Sequence, residues 1–333
     1  MAIEFQHQQS AHCENGVTSN LLNFYGIQLS EPMIFGIGSG LFFTHLPFAK
    51  VNGIPVTSFR PMPGLIFKRA SKRLGFKVQK KKYRNQKTAM SALDALLKKN
   101  IPVGMLVGVY HLNYFPTAYR FHFNAHNLVV YGKEHDTYLI SDPIMETPTT
   151  LSYAELQKVR FAKGMFAPKG HMYWAKKIPD EIDLKKAIVK GIRKTAKDMV
   201  DIPVPLVGTK GMKYLAGKIR KYPVKYGKRR AAQYLGQIVR AQEEVGTGGG
   251  GFRYMYAAFL QESADILKQD WLNDMAKEMT EVGDIWRTFA VETARIIKDR
   301  SALEDAYNKA ADILVRIAEK EDVIFKRLKN IKE

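Results

Sequence analysis

HNLVVYGKEHDTYLISDP, residues 126–143, holds two apolar runs separated by the polar pentapeptide GKEHD. Both runs are rich in β-branched and aromatic residues and too short for helices, so they predict two strands joined as an antiparallel hairpin. A hairpin brings its open ends together. His126 leads the first run and Asp142 ends the second, so the pairing predicts an imidazole beside a carboxylate. The flanking pattern extends the sheet. Strands are expected over 102–110, 123–131, 137–141 and 171–176. A helix is expected over 86–100, with Met90, Leu93, Leu96 and Leu97 on one face, and Ser152-x-x-Glu155 is a capping box that opens a short helix.

Working back from the hairpin, residues 14–25 put Val17, Leu21, Leu22 and Tyr25 on one helical face, with Gly26 as the stop and Ser30-Glu31-Pro32 opening a second helix. Cys13, the only cysteine, falls just before or in the first turn of that first helix. A thiol attacks as thiolate, and the amide groups and dipole of a helix start favour an anion and can hold an oxyanion. The base of such a site is an imidazole oriented by a carboxylate. Taken singly, each residue has a plainer reading: an inert buried thiol, a structural histidine, an aspartate in an Asp-Pro turn. The joint order of Cys at a helix start, then His, strand, turn, strand and Asp, points to a Cys13–His126–Asp142 acyl-transfer site.

After residue 179 the character changes. Stripes of helical period, such as Met255, Phe259, Ile266 and Leu267, then Ile296, Leu303, Ile313, Leu314 and Ile317, predict a helical bundle, with Trp271 and Trp286 in its core. The expected class is α+β, an antiparallel-sheet domain over 1–178 followed by an all-α domain over 179–333. One cysteine excludes an intramolecular disulfide framework and a Cys-rich zinc site, and no HExxH spacing occurs, so no metal is expected. No apolar run approaches the ~18 residues of a membrane span, and the N-terminus lacks the zones of a signal peptide. A soluble cytoplasmic protein without a membrane partner is expected.

The net charge is +20, with ten basic and no acidic side chains at residues 68–87, and nine and none at 210–230. Such a field draws an anionic partner, or is simply a solvated basic surface. GTGGGG at residues 246–251 enters a helix with Arg253 in its first turn. It reads either as an anion site, through Gly248, Gly249, Gly250 and Arg253, or as an interdomain loop. Gly36-Ile37-Gly38-Ser39-Gly40 follows no strand, so close backbone packing beside the active site is its expected role. His12 takes a structural or substrate-lining one.

The Cys, then His–strand–turn–strand–Asp-Pro order resembles the papain-like fold as used in peptidase C39-type domains. Further motifs sharpen this: HCENG at 12–16, LSEPMIFGIGSGLFF at 29–43, Arg60-Pro61, AHNLVVYG, SDP, and GTGGGGFRYMYAAFLQES at 246–263. With these the chain resembles the butirosin biosynthesis protein H family over nearly its whole length. The resemblance implies an acyltransferase in secondary-metabolite biosynthesis. Its partner is an acyl carrier protein whose phosphopantetheine thioester donates the acyl group, no cofactor is bound by the chain itself, and the acceptor is a small amine. Cys13 then carries the acyl group, His126 is the base and Asp142 orients it. Papain-like enzymes place an oxyanion-hole Gln about six residues before the Cys. Here that position is His7, which leaves Gln8 or Gln9 for the role. The anion site at Gly248–Gly250 and Arg253 would then take the pantetheine phosphate or a substrate carboxylate.

Two other functions compete. A papain-like cysteine peptidase or amidase uses the same residues with water as acceptor; a helical second domain that covers the site and excludes water favours transfer. A non-enzymatic nucleic-acid-binding protein would use the basic runs, but no helix-turn-helix, zinc finger or RNP-like motif accompanies them, and the interleaved aromatics (Phe76, Tyr83, Tyr214, Tyr222, Tyr226) are no denser than elsewhere. Nucleic acid is therefore not the expected partner. The long helical half offers surface for a homodimer.

Overall fold

The hairpin at residues 126–143 supplies two inner strands of a six-stranded antiparallel sheet. The protein is described by a computed structural model over residues 2–51, 53–244, 246–298 and 304–333; Leu303 lies outside the described residues. In chain order the elements begin with α1 (Cys13–Phe24), α2 (Glu31–Ile37), β1 (Thr44–Val51), β2 (Ile54–Ser58) and α3 (Leu65–Arg73). There follow β3 (Lys77–Lys81), α4 (Gln86–Leu97), β4 (Val103–Val107), β5 (His126–Glu134), β6 (Thr137–Ser141), β7 (Thr149–Ser152), α5 (Tyr153–Arg160) and β8 (Met172–Lys177). The remainder is helical: α6 (Leu184–Val200), α7 (Gly208–Ile219), α8 (Tyr222–Glu243), α9 (Arg253–Leu267), α10 (Trp271–Ile297) and α11 (Glu304–Leu328).

The chain divides into two units, one of Met1–Ile34 and Ser71–Ile182, the other of Phe35–Ala70 and Asp183–Glu333. The first unit carries the sheet, in the order β3-β8-β4-β5-β6-β7. Its core is apolar and continuous: Met90 and Leu93 from α4 meet Val103 and Met105 of β4, Leu128 and Val130 of β5 and Ile140 of β6. The central strands are buried on both faces, which explains their near-continuous apolar runs. The register Val129↔Ser141 places Asp142, one residue past β6, at the end of the sheet where His126 begins β5. Strand β3 is an edge strand whose Lys77, Lys80 and Lys81 are exposed. Charged side chains on an edge oppose strand addition by another chain, and KVQKK carries too little apolar alternation to be read as a strand from sequence. The capping box at Ser152 is present, with its hydroxyl accepting from the Glu155 amide and the Glu155 carboxylate accepting from the Ser152 amide.

The expected linear division at 178/179 differs from the units observed, because residues 35–70 pack with the helices. Phe35 stacks on Phe252 at 4.9 Å and Phe59 meets Trp286 edge-on at 5.1 Å. These rings bury too much apolar surface to belong elsewhere. The glycines at 36 and 40 serve close packing, as expected, but inside this helical unit: a Cβ on Gly36 would lie 2.1 Å from the Phe259 ring, and one on Gly191 would lie 2.5 Å from the Gly36 carbonyl oxygen. Trp286 is fully buried, as expected, whereas Trp271 is only half-buried and donates its indole N–H to Gln269. Among the described residues, no helix is long and apolar enough to cross a membrane.

Candidate active site

Cys13 is the first residue of α1, with His12 as the N-cap in extended conformation. One carboxylate, one backbone hydrogen bond and one glycine fix that helix start. Glu31, at the head of α2, accepts from the Ala11 amide at 2.9 Å and the His12 amide at 2.8 Å. Burial raises the Glu31 pKa, while these two amides and the Asn15 side chain pull the other way. Ser10 donates its amide to the Pro143 carbonyl at 2.7 Å, so the segment leading to Cys13 is tied to the residue that follows Asp142. Gly16 makes this approach possible: a Cβ there would lie 2.5 Å from Pro143 Cβ and 2.6 Å from Ser10 Cβ. Gly16→Ala is therefore expected to cost about 1–3 kcal/mol by overpacking. By displacing the thiol it should also lower activity about 10²-fold even where the fold survives. Thermal unfolding together with the rate of thioester consumption measures both.

His126 is buried, and its Nε2 lies 2.7 Å from Asp142 Oδ2. The imidazole also hydrogen-bonds the Cys13 side chain. Burial disfavours a charged imidazole, but the Asp142 carboxylate and the Cys13 sulfur outweigh it and hold the His126 pKa up at about 10. An imidazole that keeps its proton beside the thiol favours the thiolate, the reactive form of a cysteine nucleophile. Asp142 is fully buried and saturated with donors. Tyr114 donates its hydroxyl to Oδ2 at 2.7 Å, and the Ile144 amide donates to Oδ1 at 3.1 Å in an Asx turn. Burial and the adjoining Asp142 charge push the Tyr114 phenol well above its usual range, so it stays a donor. Phe115 closes over the imidazole edge-to-face at 5.4 Å.

The remaining candidates separate. Gln8 turns its side chain to Asn23, accepting from Nδ2 at 3.0 Å, and its carbonyl accepts from Asn20. Those asparagines lie seven and ten residues along α1 from Cys13, about 10 and 15 Å. The Gln8 amide is therefore directed away from the thiol, a correction to the expected oxyanion role. Gln9 is exposed. His7, at the position of the expected glutamine, bridges Ser141 Oγ at 2.8 Å and the Met145 carbonyl at 3.0 Å, holding the Asp142 turn. His12 is buried at the N-cap of α1.

The sequence reading missed Asn127. Its Nδ2 points at Cys13 Sγ from 3.9 Å, and its Oδ1 accepts from the Tyr173 hydroxyl at 2.9 Å. Burial, then the charges of Glu14 and Cys13, keep the Tyr173 phenol protonated. The signal was present as the HN dipeptide, where a polar residue interrupts a buried strand.

The glycine-rich loop is not an open anion site. Its positive φ angles at residues 246 and 248–251 require glycine. The Gly250 amide donates to the Glu243 carboxylate at 3.2 Å and the Gly249 amide to Thr247 Oγ1 at 3.1 Å. Arg253 is fully buried in a bidentate pair with Glu321, at 2.8 and 2.9 Å, and donates to the Gly251 carbonyl at 2.7 Å. Glu243 and Glu321 thus supply internally the negative charge expected from a phosphate at Gly248–Gly250 and Arg253. Among the described residues, no cluster of three or more His, Cys, Asp or Glu has metal-binding geometry.

Residues 12–143 match the family described as butirosin biosynthesis protein H, N-terminal, and residues 154–328 match a domain of unknown function, DUF4872. The chain belongs to the butirosin biosynthesis protein H-like family. The first match ends at the residue after Asp142, so it encloses Cys13, His126 and Asp142. Two solved structures are similar to part of the chain. One, described as a C39-like peptidase from Bacillus anthracis, is 13% identical with a TM-score of 0.37, covering 54% of this chain and 98% of that one. The other is the peptidase domain of Streptococcus ComA, a bifunctional ABC transporter of a quorum-sensing pathway. It is 17% identical with a TM-score of 0.34, covering 52% of this chain and all of that one. No curated protein matches the chain.

Proposed function

We propose that the protein is an acyltransferase that moves an acyl or aminoacyl group from a phosphopantetheine thioester through Cys13 to an amine. The observation that carries the reading is the single imidazole held between the Asp142 carboxylate at 2.7 Å and the Cys13 thiol. The Cys13 thiolate attacks the thioester carbonyl. The α1 amide groups and the Asn127 Nδ2 stabilise the oxyanion. Collapse of the intermediate breaks the carbon–sulfur bond, and the pantetheine thiolate leaves with the proton of the His126 imidazolium. An amine then attacks the acyl-enzyme, the now neutral His126 accepts its proton, and the Cys13 thiolate is released with an amide as product.

The family supports this reading, because the resemblance to butirosin biosynthesis protein H implies a carrier-bound donor. The exposed lysines of β3 offer an acidic carrier protein a docking edge whose association weakens with salt. A cysteine amidase differs only in its acceptor. Product analysis after incubation with an acyl-pantetheine thioester, with and without a primary amine, separates the two. The expected result is an amide when amine is present and slow turnover without it. Rapid release of the free acid, unchanged by amine, makes the protein a hydrolase.

A further inference from the structure

The second basic run converges on a cavity inside the helical unit. Lys218 of α7, Lys225 and Arg230 of α8, and Lys50 of β1 line a space of ≈ 420 Å³. Four tyrosines complete the wall: Tyr214, Tyr222, Tyr226 and Tyr234. Cations lie against three of these rings, Lys218 over Tyr214 at 4.8 Å, Lys225 over Tyr226 at 5.3 Å and Arg230 over Tyr234 at 5.7 Å. Among the described residues, no aspartate or glutamate lines the cavity.

Four cations around one cavity, without a lining carboxylate, repel one another, and that arrangement is relieved by a polyanion. The same charge excludes a polyamine or a quaternary ammonium ligand, which an aromatic cage would otherwise suit. His45 records the field. It is buried at the cavity wall, bonded through Nδ1 to Thr57 Oγ1 at 2.9 Å, and burial together with Lys218 holds its pKa down at about 4. The volume falls within the range of small-molecule sites. The backbone is shaped for it as well. At Gly227, φ 68° and ψ 163° break α8 between Tyr226 and Arg230, and open space beside this glycine shows that conformation, not crowding, requires it.

We infer that this cavity binds a nucleoside phosphate, with its phosphates on Lys50, Lys218, Lys225 and Arg230 and its base against the tyrosine rings. Two sources share that chemistry, a free nucleotide and the nucleotide end of coenzyme A. The inference goes beyond the acyl-transfer reading and does not depend on it, since no residue of the Cys13 site takes part.

Titration calorimetry of the full chain with ATP, coenzyme A and inorganic pyrophosphate tests it. ATP, coenzyme A or both are expected to bind saturably, and at least about tenfold more tightly than pyrophosphate because the base stacks. Lys225→Glu and Arg230→Glu, both at exposed positions, should weaken that binding about tenfold or more while the melting temperature holds. Tyr226→Ala should weaken the nucleotides and leave pyrophosphate unchanged. Cys13→Ala should alter none of it. Preference between ATP and coenzyme A assigns the source. Absence of saturable binding by either, equal affinity for pyrophosphate, or indifference to both charge reversals overturns the inference.

Discussion

Asp142→Asn is expected to slow acyl-enzyme formation by about 10²–10⁴-fold, with little change in the fold. The reason lies in the donors around the carboxylate. Oδ2 accepts from His126 Nε2 and the Tyr114 hydroxyl, and Oδ1 accepts from the Ile144 amide. Whichever way an asparagine amide is placed, its NH2 group faces a donor. The imidazole then loses its orienting partner and the charge that opposes its burial. Its pKa should fall from about 10 toward and below the ordinary histidine value. The pH dependence follows. In the native protein, the stability contributed by the raised imidazolium is complete below about pH 6.5, the unfolded value. It is lost as pH rises through the folded value near 10. The alkaline limb of acyl-enzyme formation, in which the leaving thiolate takes the imidazolium proton, should lie near pH 10 in the native protein and shift well downward in Asp142→Asn. An unshifted limb would remove His126–Asp142 from the account.

Glu321→Gln is expected to destabilise the protein by about 3–5 kcal/mol, because it strands the buried Arg253 guanidinium. Both side chains are completely buried, and Glu321 also accepts from the Trp286 indole N–H at 3.0 Å. The guanidinium lies 5.1 Å from the Trp286 ring and 5.7 Å from the Phe59 ring, so no water can replace the lost partner. The double change Arg253→Met with Glu321→Leu, which removes both charges, should recover most of the loss. Chemical denaturation of the native protein and the two variants reads the difference. Equal stability of Glu321→Gln and the native chain would show that the pair is not desolvated as described.

Much of the first unit could be read from residue pattern. The 126–143 hairpin, the Cys13 helix, the α4 face and the Ser152 cap all rest on local periodicity and turn chemistry, which act over a few residues. The site followed from the same source, because a hairpin closes its own ends without help from the rest of the chain. What escaped depended on distant partners. Strand β3 is a lysine-rich edge with almost no apolar alternation. Residues 35–70 joined the helices because Phe35 and Phe59 find Phe252 and Trp286 nearly two hundred residues or more away. Arg253 looked like an anion ligand because a glycine-rich loop precedes it, and only the approach of Glu321 on α11 shows that its charge is already matched. Asn127 and Tyr173 escaped for the same reason, since their polarity acquires meaning only beside the Cys13 sulfur.

Intact-protein and peptide mass spectrometry after brief incubation with an acyl-pantetheine thioester tests the central claim most directly. The account predicts a mass gain equal to the acyl group, located on Cys13, lost on addition of amine, and much reduced in His126→Ala. An acyl group on any other residue, or amide product from Cys13→Ala at the native rate, would contradict it.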